Sequence, residues 1–146
     1  MLDYRKLSAT VLFIFVGGGD LNYRKLNPAL FNLFLDNAMP DNLSIVGIDR
    51  IEYSETAYKK HLKEGIDNFS RTKDSDEKWK KFSAKISYLK MDVTDAKAYK
   101  KIAQIAKEKE IQAGVRPAII FYMAVASQLV PKIIKHIGKM EVCRDT

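Results

Sequence analysis

The chain has 146 residues, of which 47 % are hydrophobic and 29 % charged, a length and composition that fit one globular domain with a buried core. Its net charge of +7 comes from lysines interleaved with acidic residues, without a basic stripe or a recognisable module, so we expect no nucleic-acid partner. The longest apolar run is far too short to cross a bilayer, so we expect no membrane partner. The N-terminus lacks the features of a signal peptide, and Cys143 is the only cysteine. We therefore expect a cytoplasmic protein.

Strand and helix patterns alternate along the chain, which predicts an α/β fold with a parallel sheet. An apolar strand from Thr10 to Val16 is followed by three glycines and by a helix that we predict to become regular at Pro28, because proline suits a first turn. The later predicted elements are a strand at Leu43–Ile48, a helix capped by Ser54 and ending near Phe69, a short helix at Asp76–Lys85, a strand at Ile86–Met91, a helix at Asp95–Lys109 capped by Thr94, a strand at Ala118–Val125 and a helix at Gln128–Lys139.

Right-handed crossovers between these elements predict a Rossmann-like parallel sheet with helices on both faces. The first strand then lies inside the sheet, and the glycine turn lies at its carboxyl edge. We divide the chain into an N-terminal tail at 1–9, one dinucleotide-binding domain at 10–139 and a C-terminal tail at 140–146.

The turn after the first strand is the most informative feature of the sequence. Val16 is followed by Gly17, Gly18 and Gly19. Glycine is needed where the backbone approaches a ligand closely or takes a positive φ angle, and N–H groups at a helix start offer a site for phosphate. The turn therefore predicts the phosphate-binding corner of a dinucleotide fold. Its spacing is not a clean G-x-G-x-x-G, so a tight turn that binds nothing is the alternative.

The end of the second strand bears on which dinucleotide is bound. Asp49 and Arg50 stand side by side where this fold meets the adenosine ribose. An acid there accepts hydrogen bonds from the ribose hydroxyls and favours NAD, whereas an arginine pairs with the 2′-phosphate of NADP. Asp49 would repel that phosphate unless it is turned away. We predict NADP, with NAD possible, and a surface Asp–Arg pair without a ligand is the alternative.

Two motifs resemble a known family. The pattern G-D-L-x-x-R-K-L runs from Gly19 to Leu26, and P-A-L-F follows at Pro28 to Phe31. Together they resemble the opening of the glucose-6-phosphate dehydrogenase family, and the likeness extends over residues 11–139.

The resemblance implies a dinucleotide loop made of Gly17, Gly18, Gly19, Asp20 and Leu21. It also implies that Arg50 holds the 2′-phosphate and that Lys25 reaches toward the reacting end, near the coenzyme and the sugar phosphate. A solvated lysine on the first helix is the alternative for Lys25. Asp92 and Ala124 would border the adenine and the nicotinamide side, two assignments that depend on Rossmann geometry more than on a motif.

The sequence departs from the family's pattern in the coenzyme region and in the catalytic one. Val16 stands where the family has its first loop glycine, and a proline pair that the family carries near residues 123–127 is absent. The family's catalytic histidine lies in an R-I-D-H-Y-L-G-K-type motif that the chain does not contain. We predict that His61 and His136 are structural or surface residues, and we predict no catalytic residue and no metal ligand.

The sequence thus predicts the NADP-binding domain of a glucose-6-phosphate dehydrogenase-like oxidoreductase that is inactive alone. In the parent enzyme, glucose 6-phosphate would be oxidised to 6-phosphogluconolactone. The alternative is a non-catalytic nucleotide-binding or interaction module. The expected partners are a dinucleotide and, in the parent enzyme, a sugar phosphate. An uncovered sheet edge beyond the fourth strand would favour self-association or contact with a missing C-terminal domain.

Overall fold

The computed structural model describes residue 6 and residues 8–16, 18–69 and 76–140. The strands of this part of the chain are β1 (Thr10–Phe15), β2 (Leu43–Asp49), β3 (Ile86–Lys90) and β4 (Ala118–Met123). Its α-helices are α1 (Asn27–Leu35), α2 (Glu55–Phe69), α3 (Asp76–Ser83), α4 (Tyr99–Ala113) and α5 (Val130–Gly138). A π-helical segment at Asn22–Leu26 precedes α1, and short 3₁₀ turns at Ala96–Ala98 and Ser127–Leu129 precede α4 and α5.

The four strands form one parallel sheet in the order β3-β2-β1-β4. Thr10 at the start of β1 is level with Leu43 on one side and with Ala118 on the other. The predicted Rossmann-like sheet is therefore confirmed, and β1 lies inside it. Because the strands are parallel, their carboxyl ends meet at one edge, which is where ligands bind in open α/β sheets.

Two separate hydrophobic cores show that helices cover both faces of the sheet, as predicted. Phe13 and Phe15 of β1 point to the face packed by α4 and α5. Leu12 and Ile14 point to the face packed by α1, α2 and α3. Because side chains alternate along a strand, β1 contributes to both cores.

The helix after β1 becomes a regular α-helix where the sequence predicted, but a π segment precedes it. Helical backbone starts at Asp20 and passes through the π segment before α1 begins at Asn27, so Pro28 lies in the first turn of α1. Proline has no N–H to donate to the carbonyl four residues back. The π segment changes the hydrogen-bond register just before it, since the Asn27 N–H donates to the carbonyl of Asn22, five residues back. The regular helix α1 thus begins within one residue of Pro28, as predicted, and the π segment before it is the feature that was not predicted.

The remaining differences lie at element ends. Ser54 caps α2 as predicted, because its hydroxyl oxygen accepts the Ala57 N–H at 3.0 Å. The turn before α4 is capped by Asp95 and not by Thr94, since the Asp95 carboxylate accepts the Lys97 N–H at 3.1 Å. The side chain of Phe69 and the predicted loop at 70–75 lie outside the described residues. None of the helices in the described ranges is both long and apolar enough to cross a membrane.

Candidate coenzyme-binding site

The glycine loop lies at the carboxyl edge of the sheet, between the end of β1 and the first helix. The Gly19 N–H donates to the Val16 carbonyl at 3.0 Å, and the Tyr23 N–H donates to the Gly19 carbonyl at 3.2 Å. Gly19 therefore immediately precedes the first helical turn. The N–H groups of Asp20 and Leu21 belong to that turn and have no acceptor within the helix. Together with the positive end of the helix dipole, they form a place that suits a phosphate group.

Gly17, the first glycine of the predicted loop, lies outside the described residues. Gly18 and Gly19 are partly buried, whereas Asp20 is exposed and forms an ion pair with Arg24 at 3.2 Å on the helix surface. Leu21 is 43 % exposed. The structure therefore brings four of the five predicted loop residues together at the helix start.

Asp49 connects the glycine loop to the end of β2. Its Oδ2 accepts the Gly18 N–H at 3.1 Å, and its Oδ1 accepts the Arg50 N–H at 2.8 Å. A Cβ atom on Gly18 would lie 3.0 Å from Asp49 Oδ2, so glycine leaves the room that this bond requires. The sequence suggested Asp49 as a ligand of the ribose or as a group that repels phosphate, and did not indicate its bond to the loop. Asp49 and Gly18 are 31 positions apart, so no local pattern in the sequence indicated this bond.

Arg50 is exposed and lies on a loop that β3 holds in place. The Tyr88 hydroxyl donates to the Ile51 carbonyl at 2.6 Å, and Lys90 forms an ion pair with Glu52. Burial, followed by the nearby Asp49 carboxylate, raises the pKa of Tyr88 above its ordinary value. The loop that would present Arg50 to a ligand is thus attached to the sheet at two points.

Asp92 and Ala124 lie at the same edge of the sheet. The Asp92 carboxylate accepts the Thr94 hydroxyl at 2.7 Å and the Thr94 N–H at 2.9 Å. These bonds, with a smaller contribution from the charge of Arg50, hold the pKa of exposed Asp92 below its ordinary value. The Ala124 N–H donates to the Phe15 carbonyl at 3.3 Å, which places Ala124 beside the glycine loop. Their roles toward a ligand stay predictions.

Lys25 lies in the π segment and is exposed. It shares this helix with Asp20 and Leu21 of the loop, so a single rigid element relates the two parts of the predicted site. The π segment itself is a feature that sequence reasoning missed. Such segments are rare and occur frequently at functional sites. The signal in the sequence was Pro28, which an uninterrupted α-helix starting at the loop would not accommodate.

The two histidines are packed against tyrosine rings. His61 stacks between Tyr23 and Tyr53, with ring centroids at 4.7 and 5.7 Å. His136 lies 4.9 Å from the ring of Tyr99, whose hydroxyl donates to the Val93 carbonyl at 2.8 Å. Burial raises the pKa of Tyr99 to about 12. These contacts are of the kind that a structural role requires.

A cleft of about 910 Å³ lies between α4, α5 and β4. It is lined by residues that include Lys100, Arg116 and His136, and the glycine loop does not line it. The candidate site at the carboxyl edge of the sheet therefore lies outside this cleft.

Comparison with known proteins agrees with this geometry. A family model described as glucose-6-phosphate dehydrogenase, NAD binding domain, matches residues 13–146. The chain belongs to this family. The glucose-6-phosphate 1-dehydrogenase of Leuconostoc mesenteroides is 30 % identical over 137 residues, which are 94 % of this chain and 28 % of that protein. The enzyme of the same name from Chlamydia muridarum is 26 % identical over 133 residues, 90 % of this chain and 26 % of that protein.

Solved structures of the glucose-6-phosphate dehydrogenase family share the fold. A glucose-6-phosphate dehydrogenase in complex with its substrate glucose-6-phosphate superposes with a TM-score of 0.80 at 25 % identity, covering 92 % of this chain and 28 % of that one. A glucose-6-phosphate 1-dehydrogenase from Mycobacterium avium has a TM-score of 0.79 at 22 % identity, a likeness of fold. The chain thus spans 26 % to 28 % of the length of these relatives. It is a nicotinamide-dinucleotide-binding domain of the glucose-6-phosphate dehydrogenase type, as its motifs predicted.

Proposed function

We propose that this chain is the NADP-binding domain of an oxidoreductase that oxidises glucose 6-phosphate to 6-phosphogluconolactone. The observation that supports NADP over NAD is that the Asp49 carboxylate is hydrogen-bonded within the protein while the Arg50 side chain is exposed. The Asp49 carboxylate is directed at the N–H groups of Gly18 and Arg50, whose partial positive charges offset its own. Arg50 is exposed at the strand end. An arginine in this position pairs with the 2′-phosphate that only NADP carries.

The described residues suit such a coenzyme along its length. NADP, when bound, supplies a nicotinamide ring that accepts a hydride. The N–H groups of Asp20 and Leu21 bind the pyrophosphate, and Lys25 attracts the sugar phosphate toward the reacting end by its charge. Asp92 borders the adenine, and Ala124 borders the nicotinamide side. In this assignment every contact comes from the carboxyl edge of the sheet or from the helix that follows the glycine loop.

We expect the chain alone to bind coenzyme without oxidising the sugar phosphate. A general base has to be within hydrogen-bond reach of the proton that it removes and needs an orienting partner. His61 and His136 are packed on tyrosine rings instead. The residues that complete the reaction would belong to a partner or to a further domain.

The test is calorimetric titration of the chain with NADP and, separately, with NAD. In Arg50→Ala we expect a loss of about 10- to 100-fold in NADP affinity, because a hydrogen bond to a charged group contributes about 1.5–3 kcal/mol. NAD affinity should change by less than about twofold, since it has no 2′-phosphate. Lys101→Ala is the matched control, because Lys101 is an exposed cation on α4. An equal loss for both coenzymes would contradict the role of Arg50.

A second candidate function is a non-catalytic module that keeps the fold and binds dinucleotide weakly or not at all. The observation that favours it is the conformation of Val16, which has a φ of 65° in the glycine loop. Absence of saturable binding by either coenzyme in the same titration would support this second function and overturn the first.

A further inference from the structure

Val16 has a backbone conformation that is unusual for its residue type. Its φ of 65° lies in the left-handed region, which β-branched residues rarely adopt. Asn37, with a φ of 55°, is the other non-glycine residue with positive φ in the described part of the chain, and asparagine tolerates this region far better. The turn that begins the candidate site is therefore held in a strained form by a residue poorly suited to it.

The side chain of Val16 also fills space beside the helix start. Its Cγ1 atom lies 2.8 Å from the position that a Cβ atom on Gly19 would occupy. The room left by the missing side chain of Gly19 is thus taken by the isopropyl group of Val16. A glycine in the turn would leave this room open to a ligand.

Hydrogen bonds within the protein occupy two N–H groups of the same loop. The Gly19 N–H is bonded to the Val16 carbonyl at 3.0 Å, and the Gly18 N–H is bonded to Asp49 Oδ2 at 3.1 Å. A phosphate that approaches the loop has to displace these acceptors before it can use either group. Val16 supplies the carbonyl that accepts the Gly19 N–H, and its side chain fills the space beside Gly19.

We propose that Val16 is the residue that limits the affinity of this domain for its coenzyme, an inference that rests on the proposed function. The isopropyl group occupies space that the pyrophosphate needs beside Gly19, and the strained turn keeps the Gly19 N–H bonded to the protein. Because the pyrophosphate is common to NADP and NAD, Val16 lowers the affinity for both coenzymes to the same extent. Arg50 sets the discrimination between the two coenzymes, and Val16 sets the strength of binding.

The test compares Val16→Gly and Val16→Ala with the unchanged chain by calorimetric titration with NADP and with NAD. Val16→Gly removes the side chain and the strain, so we expect Kd to fall about tenfold for both coenzymes, with their ratio unchanged. Val16→Ala removes the branched side chain but keeps a residue that disfavours positive φ, so we expect a smaller gain. Asn37→Gly is the control, because it changes a positive-φ position away from the glycine loop and should leave both Kd values unchanged.

A Kd in Val16→Gly that equals or exceeds the value of the unchanged chain would overturn the inference and leave the proposed function intact. If neither protein binds either coenzyme, the proposed function itself is overturned. Circular dichroism and urea unfolding of each variant check that the fold is retained. If Val16→Gly fails to fold, the Kd values of Val16→Ala test the inference. A change in the ratio of the two Kd values would contradict the assignment of discrimination to Arg50.

Discussion

β1 and β4 have similar sequences but very different surroundings. Each is a six-residue apolar strand, T-V-L-F-I-F in β1 and A-I-I-F-Y-M in β4, and the two pair in parallel register. The side chains from Val11 to Phe15 are all buried, whereas in β4 exposed and half-buried positions alternate. β1 has a strand on each side and helices over both faces, whereas β4 is an edge strand. An apolar run therefore predicts a strand, but its burial depends on which neighbours the fold supplies.

The exposed face of β4 is formed by Ile120 and Tyr122, which are 51 % and 39 % exposed. Its opposite face contributes Phe121, whose ring stacks on Phe13 of β1 at 5.5 Å. The same strand thus has one side in the core and one side available for contact, beside backbone groups that no strand of the described chain pairs.

The largest expected effect on stability comes from truncating Phe13, the β1 member of this aromatic pair. Phe13 is fully buried, so Phe13→Ala should lower the free energy of unfolding by about 3–5 kcal/mol. Phe121→Ala, in the half-buried partner on β4, should cost about half as much, because its site can relax toward solvent. Urea unfolding followed by circular dichroism measures both values. Equal losses would show that β4 is as well covered as β1.

A smaller effect is expected from adding one methyl group in the interior of the sheet. A Cβ atom on Gly47 of β2 would lie 2.0 Å from the hydroxyl oxygen of buried Tyr58, so Gly47→Ala should cost about 1–3 kcal/mol. Gly138→Ala, at the end of α5, is the matched control because nothing lies within 4 Å of the added atom. It should stabilise the protein by up to about 1 kcal/mol, since alanine favours helix. Comparable midpoints in urea would contradict this contrast.

The smallest effect on stability is expected on the exposed face of β4. Ile120→Lys should change the free energy of unfolding by less than about 0.5 kcal/mol, because the side chain is half in solvent. If the open edge mediates self-association, this variant should shift the sedimentation profile toward monomer, since lysine protects edge strands. Ile111→Lys on α4, where Ile111 is 72 % exposed, is the control and should not change the profile. A strictly monomeric profile of the unchanged chain at all concentrations would exclude self-association.

Much of the fold was predictable from local pattern. The apolar stripe of Tyr58, Leu62 and Ile66 on α2 is buried as its spacing indicates, and Ser54 caps the helix. The helix before Pro28 was not predictable in this way, because its π register compensates for a missing N–H only within the folded helix.

For the site, the sequence predicted the place but not the arrangement. Five of the predicted residues lie at one sheet edge, because the carboxyl ends of parallel strands converge there. They are Gly18, Gly19, Arg50, Asp92 and Ala124. The bond between Asp49 and the Gly18 N–H joins residues 31 positions apart, so no local pattern indicates it. Asp49 thus holds an N–H group of the glycine loop that an approaching phosphate would otherwise use.

The sequence by itself determined the order of the elements, the position of the glycine turn and the family, because periodicity and short motifs are properties of neighbouring residues. The tertiary structure alone decided that β1 is enclosed while β4 is an edge, that Asp49 is bonded to the loop, and that Val16 has a positive φ. The surroundings of the two strands and the Asp49 bond depend on contacts between segments that are distant in the chain. Such contacts are selected by packing and hydrogen bonding of the whole domain, and no single segment specifies them.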